Sequence, residues 1–303
     1  NVITDPAAFS HADAWAMPVA NAVVTDAFAW AQTLADLAVA IAAEKGVEAP
    51  CAGTASASAQ AMAKSLLGGE RKALLLGNAA AHHGNASTLL ALANWIGAQT
   101  GASVGYLTEA ANTVGAQWVG AQPQTGGKHA GQMLAGGLKA AVLLNTEPEF
   151  DSAAGAAAAK ALGQAEMVVT LSPFKANMAF SDVLLPIAPF TETSGSFVNA
   201  EGRLQSFHAV VKPLAETRPA WKVLRVLANL LEIPGVAFET SQDVLARATA
   251  QPLAASNATR SAINLTGTTT PAPAVASIYQ LDGIVRRAPS LQLTADARQE
   301  VTP

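Results

Sequence analysis

DVLLPIAPFTETSGSFVNAEGRLQ, residues 182–205, is the stretch on which the reading of this chain turns. Its first part, Asp182–Pro186, reads as a short buried strand closed by proline. Glu192, Gly195, Ser196, Phe197, Asn199, Glu201, Gly202, Arg203 and Gln205 follow at close, irregular spacing. That spacing fits neither the period of a helix nor the alternation of a simple strand, so it predicts a shaped loop. Gly195 and Gly202 are expected to supply backbone conformations closed to other residues. The polar residues between them are expected to satisfy backbone groups that would otherwise go unpaired.

Apolar runs of strand length recur elsewhere, at 73–77 (ALLLG), 140–144 (AAVLL), 167–171 (MVVTL) and 183–186 (VLLP). Helical patterns alternate with them. Leu89, Leu90, Ala93 and Ile96 lead to Gly101, and an alanine-rich stretch covers 152–162. Strands that are apolar throughout, alternating with helices, predict a parallel sheet covered on both faces, a doubly wound α/β fold. A further helix is expected after Thr217, with Pro219 in its first turn and Trp221, Leu224, Leu227 and Leu231 at helical spacing before Pro234-Gly235. Ser241 is expected to cap another, with Val244, Leu245 and Ala248 apolar. Residues 250–276, rich in Ser, Thr, Ala and Pro, read as an extended arm. Residues 277–295 regain Ile278, Tyr279, Leu281, Ile284, Val285 and Leu291 and are expected to dock through one or two helical turns, with Arg286 and Arg287 near the end.

Composition excludes several classes of function. A net charge of −4 and a pI near 5.7 lack the basic excess of a nucleic-acid binder. The longest apolar stretch, Val19–Ala43, is broken by Asn21, Asp26, Gln32 and Asp36. It therefore reads as a core helix with Phe28, Ala31, Leu34, Ala38 and Ile41 on one side, and direct membrane insertion is not expected. Cys51, the single cysteine, rules out an internal disulfide and any cysteine-held cluster within these residues. The chain opens at Asn1, and the expectation is a fragment or a processed chain.

The 182–205 stretch resembles the late signature of the molybdopterin oxidoreductase superfamily: a strand ending A/S-D-V-x-L-P, then E-x-x-G-S/T-F-x-N-x-E-G-R-x-Q. The positions carried over are Asp182, Pro186, Glu192, Gly195, Asn199, Glu201, Gly202 and Arg203. Three further segments narrow the resemblance: GERKALLLGNAAAHHGNASTLLALANWIGAQTG, AAVLLNTEPEFD and IYQLDGIVRRAPSLQLTADA. They look like the C-terminal half of the G-type subunit family of bacterial NADH-quinone oxidoreductase, respiratory complex I, whose cysteine-rich N-terminal region carries the iron–sulfur clusters.

That resemblance implies mainly parallel sheets in two Rossmann-like lobes. Residues 1–104 would be part of the first, 105–249 the second with the signature loop, and 250–303 a C-terminal arm and docking segment. It implies a scaffold role in the peripheral arm, on the cytoplasmic side of the inner (plasma) membrane, beside the other peripheral-arm subunits. No cofactor is expected in these residues; 4Fe-4S and 2Fe-2S clusters are expected in the full-length chain. The alternative is the C-terminal part of a true molybdenum or tungsten bis-pterin oxidoreductase, such as a formate dehydrogenase or nitrate reductase.

In cofactor-bearing members of the superfamily, the loops matching Asn145–Glu147 and Leu171–Asn177 help hold the guanosine parts of the cofactor. Asn145, Thr146, Glu147 and Ser172 are thus candidates for a vestigial site. The second loop, Leu171-Ser172-Pro173-Phe174-Lys175-Ala176-Asn177, lacks the acidic residue and threonine-rich turn of those members. No G-x-G-x-x-G or P-loop compensates. The bland readings of the other polar residues are preferred. His82, His83, His129 and His208 have no metal-ligand spacing. Glu192, Glu201 and Arg203 are expected to lock a loop rather than catalyse, and Cys51 has no base beside it in the sequence.

Overall fold

A computed structural model describes residues 1–9, 17–108, 110–252, 262–266 and 277–298. The expected extended arm at 250–276 falls largely outside the described residues. Two compact units are present: Asn1–Ala110 with residues 262–266, and Ala111–Leu253 with residues 277–298.

In the first unit, β1 (Val2–Thr4) pairs in parallel with β2 (Ala22–Val24), and β3 (Ala73–Leu76) with β4 (Ser103–Tyr106). Three helices, Trp30–Lys45, Ala57–Gly68 and Ala86–Thr100, build the core around Leu34, Ile41, Met62, Leu89, Leu92 and Ile96. Fully buried alanines, among them Ala35, Ala38 and Ala63, let these helices approach closely. Gly97 does the same between helix and sheet: a Cβ there would lie 2.4 Å from Val104 Cγ2 and 2.9 Å from the Ala102 carbonyl oxygen. Gly101, at φ 74°, ends that helix in the left-handed conformation, with its N–H returned to the Gly97 carbonyl.

The helix expected over Val19–Ala43 begins only at Trp30, after a 3-10 turn at Ala27–Ala29. Residues 22–24 instead find a ladder partner in β1, and that long-range pairing overrides the local pattern. Phe28, expected in the core, is 65% exposed because it precedes the helix, whereas Ala31, Leu34, Ala38 and Ile41 are buried as expected.

The second unit is built on β5 (Ala140–Leu144), β6 (Met167–Ser172) and β7 (Val183–Pro186), all parallel with β6 central. The α/β class with mainly parallel sheets is therefore as expected. Leu143 is buried while Val142 is 55% exposed, and Leu76 is buried while Leu75 is 54% exposed. Both strands lie at the outside of their sheets, and their burial alternates although every residue in them is apolar. β7, expected to be buried, is a half-exposed edge strand, a position that tolerates Pro186 because the outer side of the ladder needs no donor.

The shaped loop expected from 192–205 is a β-hairpin. β8 (Gly195–Val198) pairs antiparallel with β9 (Leu204–Phe207), joined by a turn over 199–203. Its sequence does not alternate because most of its residues are partly or fully exposed on both faces. Helix Ala220–Leu230 follows, with Pro219 as N-cap and Leu231 63% exposed rather than inward. Helix Ser241–Ala248 is capped by Thr240, not Ser241, in a reciprocal capping box with Asp243. Among the described residues no helix is long and apolar enough to cross a membrane.

Candidate functional site

Beyond the carboxyl end of β5 the chain turns at Asn145, whose φ of 50° is the left-handed conformation that asparagine tolerates. The Asn145 N–H donates to the Leu171 carbonyl at 2.8 Å, extending the β5–β6 ladder by one step. Asp151, in the short helix Pro148–Asp151, accepts from the Glu147 N–H at 2.7 Å and from the Thr146 hydroxyl at 3.2 Å. Asn177, in the loop after β6, donates to the Thr146 carbonyl at 3.0 Å and to Thr170 Oγ1 at 3.3 Å. Ser172 Oγ accepts from the Phe174 N–H at 3.1 Å. The two loops that hold Asn145, Thr146, Glu147 and Ser172 are thereby fastened to one another. In the described sheet, order β5–β6–β7 runs without a reversal, so these residues lie at strand ends but at no switch point.

The Glu147 side chain is buried, and both of its oxygens are taken by the tail. Arg287 donates from Nη2 to Oε2 at 2.8 Å, while its Nη1 donates to the Gly283 carbonyl at 2.9 Å and stands 2.8 Å from Oε1 as an ion pair. Arg286 Nη2 reaches Oε1 at 2.8 Å, while its Nη1 reaches Asp151 Oδ1 at 3.0 Å and the Gln280 and Leu281 carbonyls at 2.9 Å. The Arg287 guanidinium sits 4.2 Å from the Phe174 ring centre, and that of Arg286 sits 4.9 Å from Phe150. Arg286 Nε is buried without a partner among the described residues, a cost set against the gains of the cluster.

Burial acting alone would raise the Glu147 carboxyl, but hydrogen bonds and charge from Arg287 and Arg286 outweigh it and hold the group below the usual carboxylate range. Burial likewise works against the charged form of Arg286, and Glu147 and Asp151 more than compensate. The tail is ordered for this contact by its own turns: Asp282 Oδ1 accepts from the Ile284 and Val285 N–H groups at 2.8 Å. Sequence reasoning reads the arginine pair as charge at a helix end and misses its partners. The clue is present, since Arg286-Arg287 is the one arginine pair in a chain where only 13% of residues are charged.

The signature residues occupy a different part of the second unit. Asp182 Oδ2 accepts from the Val168 N–H at 2.7 Å, starting the β6–β7 ladder. Glu192 Oε2 accepts from the Leu214 N–H at 2.9 Å. Asn199 organises the hairpin turn, its Oδ1 accepting from the Glu201 and Arg203 N–H groups at 3.1 and 2.9 Å. Gly202 adopts φ 80°. Gly195 has no unusual φ; a Cβ there would instead lie 2.7 Å from the Phe207 ring. Phe197 is 45% exposed and packs edge-on against Phe207, with centroids 5.2 Å apart. Glu201 and Arg203 point outward and form no ion pair with each other among the described residues.

The histidines have local tasks. His83 is buried; its Nδ1 accepts from the Asn85 N–H at 3.0 Å, which leaves Nε2–H to donate to the Ala27 carbonyl at 2.9 Å. Its ring stacks on Trp30. His129 caps the helix Ala130–Leu134. Among the described residues no group of three His, Cys, Asp or Glu is arranged for a metal ion. Burial, then the charge of Asp36, push the Cys51 thiol up, away from the reactive thiolate. Each unit holds a sizeable cleft. That of the first, about 390 Å³, opens at Leu76, Gly77 and Asn78 beside Trp30. That of the second, about 320 Å³, lies between the hairpin and the two late helices, lined by Trp118, His208, Trp221 and Leu245.

The sequence pattern of the Molybdopterin oxidoreductase family matches residues 25–230. A provisionally named formate dehydrogenase of Staphylococcus aureus (strain bovine RF122 / ET3-1) is 44% identical over 52 residues, 17% of this chain and 5% of that protein. "Probable oxidoreductase YjgC" of Bacillus subtilis (strain 168) is 38% identical over 69 residues, 23% of this chain and 7% of the relative. The mitochondrial NADH-ubiquinone oxidoreductase 78 kDa subunit of Candida albicans (strain SC5314 / ATCC MYA-2876) is 43% identical over 53 residues, 18% of this chain and 7% of the relative. The chain thus spans a small part of the length of the curated relatives it matches.

Proposed function

The chain belongs to the molybdopterin oxidoreductase family, and from that premise we propose that it is a cofactor-free scaffold region of the G-type, cluster-bearing subunit of a respiratory NADH:quinone oxidoreductase. The observation that carries this reading is the Glu147 cluster. The loops that the family would turn toward a nucleotide-bearing pterin end in a carboxylate whose two oxygens are already bonded by Arg286 and Arg287. Phe174, in the second of these loops, is covered by the Arg287 guanidinium. The residues present therefore do not fit the cofactor, and no catalytic step is assigned to these loops. The 43% identity to a 78 kDa subunit of an NADH-ubiquinone oxidoreductase supports the same reading. In it, iron–sulfur clusters carried elsewhere in the longer chain pass electrons from NADH toward quinone. This region packs among the other peripheral-arm subunits on the cytoplasmic side of the membrane.

A second reading has its own support: the 44% identity to a provisionally named formate dehydrogenase favours a molybdenum or tungsten enzyme. Molybdenum, tungsten and pterin analysis of the natural full-length protein separates the two. The scaffold reading expects none of the three in stoichiometric amount, together with co-isolation of NADH:quinone oxidoreductase activity. One metal per chain with a pterin would overturn it.

A further inference from the structure

The first unit holds two pairs of parallel strands whose free edges line one cleft. The Val2 N–H donates to the Asn21 carbonyl and the Thr4 carbonyl accepts from the Thr25 N–H, both at 2.9 Å, so the even residues of β1 face β2. The Lys72 carbonyl accepts from Ser103 at 3.0 Å and the Leu76 carbonyl from Leu107 at 2.8 Å, so the even residues of β3 face β4. Successive strand residues turn their N–H and C=O groups to opposite edges, which leaves those of Ile3, Ala73 and Leu75 on the outer side of each pair. Among the described residues, β1 and β3 bond to no strand other than β2 and β4. Residues 1–5 and 73–77 both border the same cleft of about 390 Å³.

We infer that this cleft accepts one extended segment of a partner protein, added as a strand between β1 and β3. The chemistry of the walls chooses that occupant. Two free edges offer backbone donors and acceptors, which an extended chain meets on both of its sides. A helix bonds its own backbone groups internally, and a small apolar ligand has none to offer. Leu34 and Met62 of the helix core, and Leu66 packed against it, also line the cleft, so the segment carries apolar side chains at alternate positions. A strand in a packed sheet takes roughly 160 Å³ per residue, so about two or three residues fill this volume, near the length of β1. The late segment 262–266 of this chain is held elsewhere in the unit. Thr88, outside the cleft, bonds both the Asn264 N–H and its carbonyl at 3.2 Å, and Ile263 and Leu265 pack on the core, leaving the cleft to another chain.

The test uses the full chain, melted alone and with a millimolar capped seven-residue peptide that alternates valine with threonine and lysine. The peptide should raise Tm by about 2–4 °C and slow hydrogen exchange over residues 73–76. The same peptide N-methylated at alternate residues lacks the donors and should do neither. Leu75→Pro removes a donor on the free edge without touching the β3–β4 ladder, and the side chain it replaces is 54% exposed. That variant should fold and give no response. Should it fail to fold, Leu75→Lys keeps the backbone, sets a charge at the edge and should weaken the response. Absence of any response in the parent chain overturns the inference. So does an equal response to the N-methylated peptide, which is apolar adhesion only, or an undiminished response in whichever Leu75 variant folds. A dimer of the chain alone that Leu75→Pro disperses makes the occupant a second copy and overturns the assignment to a partner. Metal and pterin content plays no part in this readout, so it fails or succeeds independently of the scaffold assignment.

Discussion

Arg287 and Glu147, 140 residues apart in sequence, meet through a 2.8 Å hydrogen bond and a second 2.8 Å ion-pair contact beyond the end of β5. The contact ties the short helical turns of residues 278–292 to the β5–β6 loops. It makes the tail part of the second unit rather than an appendage.

Glu147→Gln should loosen the tail while leaving the core of either unit intact. Gln keeps the shape but removes the charge that both arginines face. The expected loss is about 1–3 kcal/mol, below the value for a fully buried pair because Arg287 is one-third exposed. Hydrogen exchange by mass spectrometry should show faster exchange over 278–292 and no change in Trp30–Lys45. Unchanged protection of 278–292 would contradict the docking role.

Acid should release the tail. The Glu147 carboxyl is held below its ordinary range in the folded state, so its contribution is complete above the unfolded carboxylate value and is lost as pH falls through the lower folded value. Tail protection should therefore be flat from neutral pH down to the ordinary carboxylate range and then collapse. In Glu147→Gln this acid-dependent step should disappear. Hydrogen exchange followed across pH, corrected for intrinsic rates, checks the sign.

The hairpin turn separates two residues that the signature treats alike. Asn199→Ala removes the acceptor of two backbone N–H groups and should cost about 1 kcal/mol. Arg203→Ala removes an exposed side chain and should stay within about 0.5 kcal/mol of the parent. Urea denaturation of both variants gives the comparison. A larger loss for Arg203 would mean that its charge is used outside this chain's own fold.

Gly97→Ala should destabilise the first unit by roughly 1–3 kcal/mol. The new methyl group would meet Val104 at 2.4 Å and the Ala102 backbone at 2.9 Å, and the backbone carbonyl cannot rotate away. Gly101→Ala should also destabilise, through its left-handed φ rather than through a clash. Pairing Gly97→Ala with Val104→Ala should recover only part of the loss, because the carbonyl contact stays. Complete recovery in thermal melts would place all the strain in the Val104 side chain.

The strands at 73–76, 140–144 and 167–172 and the helix ending at Gly101 are legible in the sequence because each is a local signal: an apolar run of strand length, or a helical period closed by glycine. The hairpin at 195–207 is not. Its strands are too exposed to alternate cleanly, and the pairing of Gly195 with Phe207 is a contact that spacing alone does not reveal. The candidate site is half legible. Asn145, Thr146, Glu147 and Ser172 can be found from the loops that carry them, but what faces them cannot.

The sequence by itself determined the α/β class, the parallel strands and the positions of the strand-end loops, because period, glycine and proline act through nearest neighbours along the chain. Only the tertiary structure decided that Arg286 and Arg287 close on Glu147, that β2 replaces the start of a predicted helix, and that one face of β5 stays open. Each of these is set by pairing between residues tens to more than a hundred positions apart. Charge, ladder and burial partners at that distance leave no periodic trace in the chain.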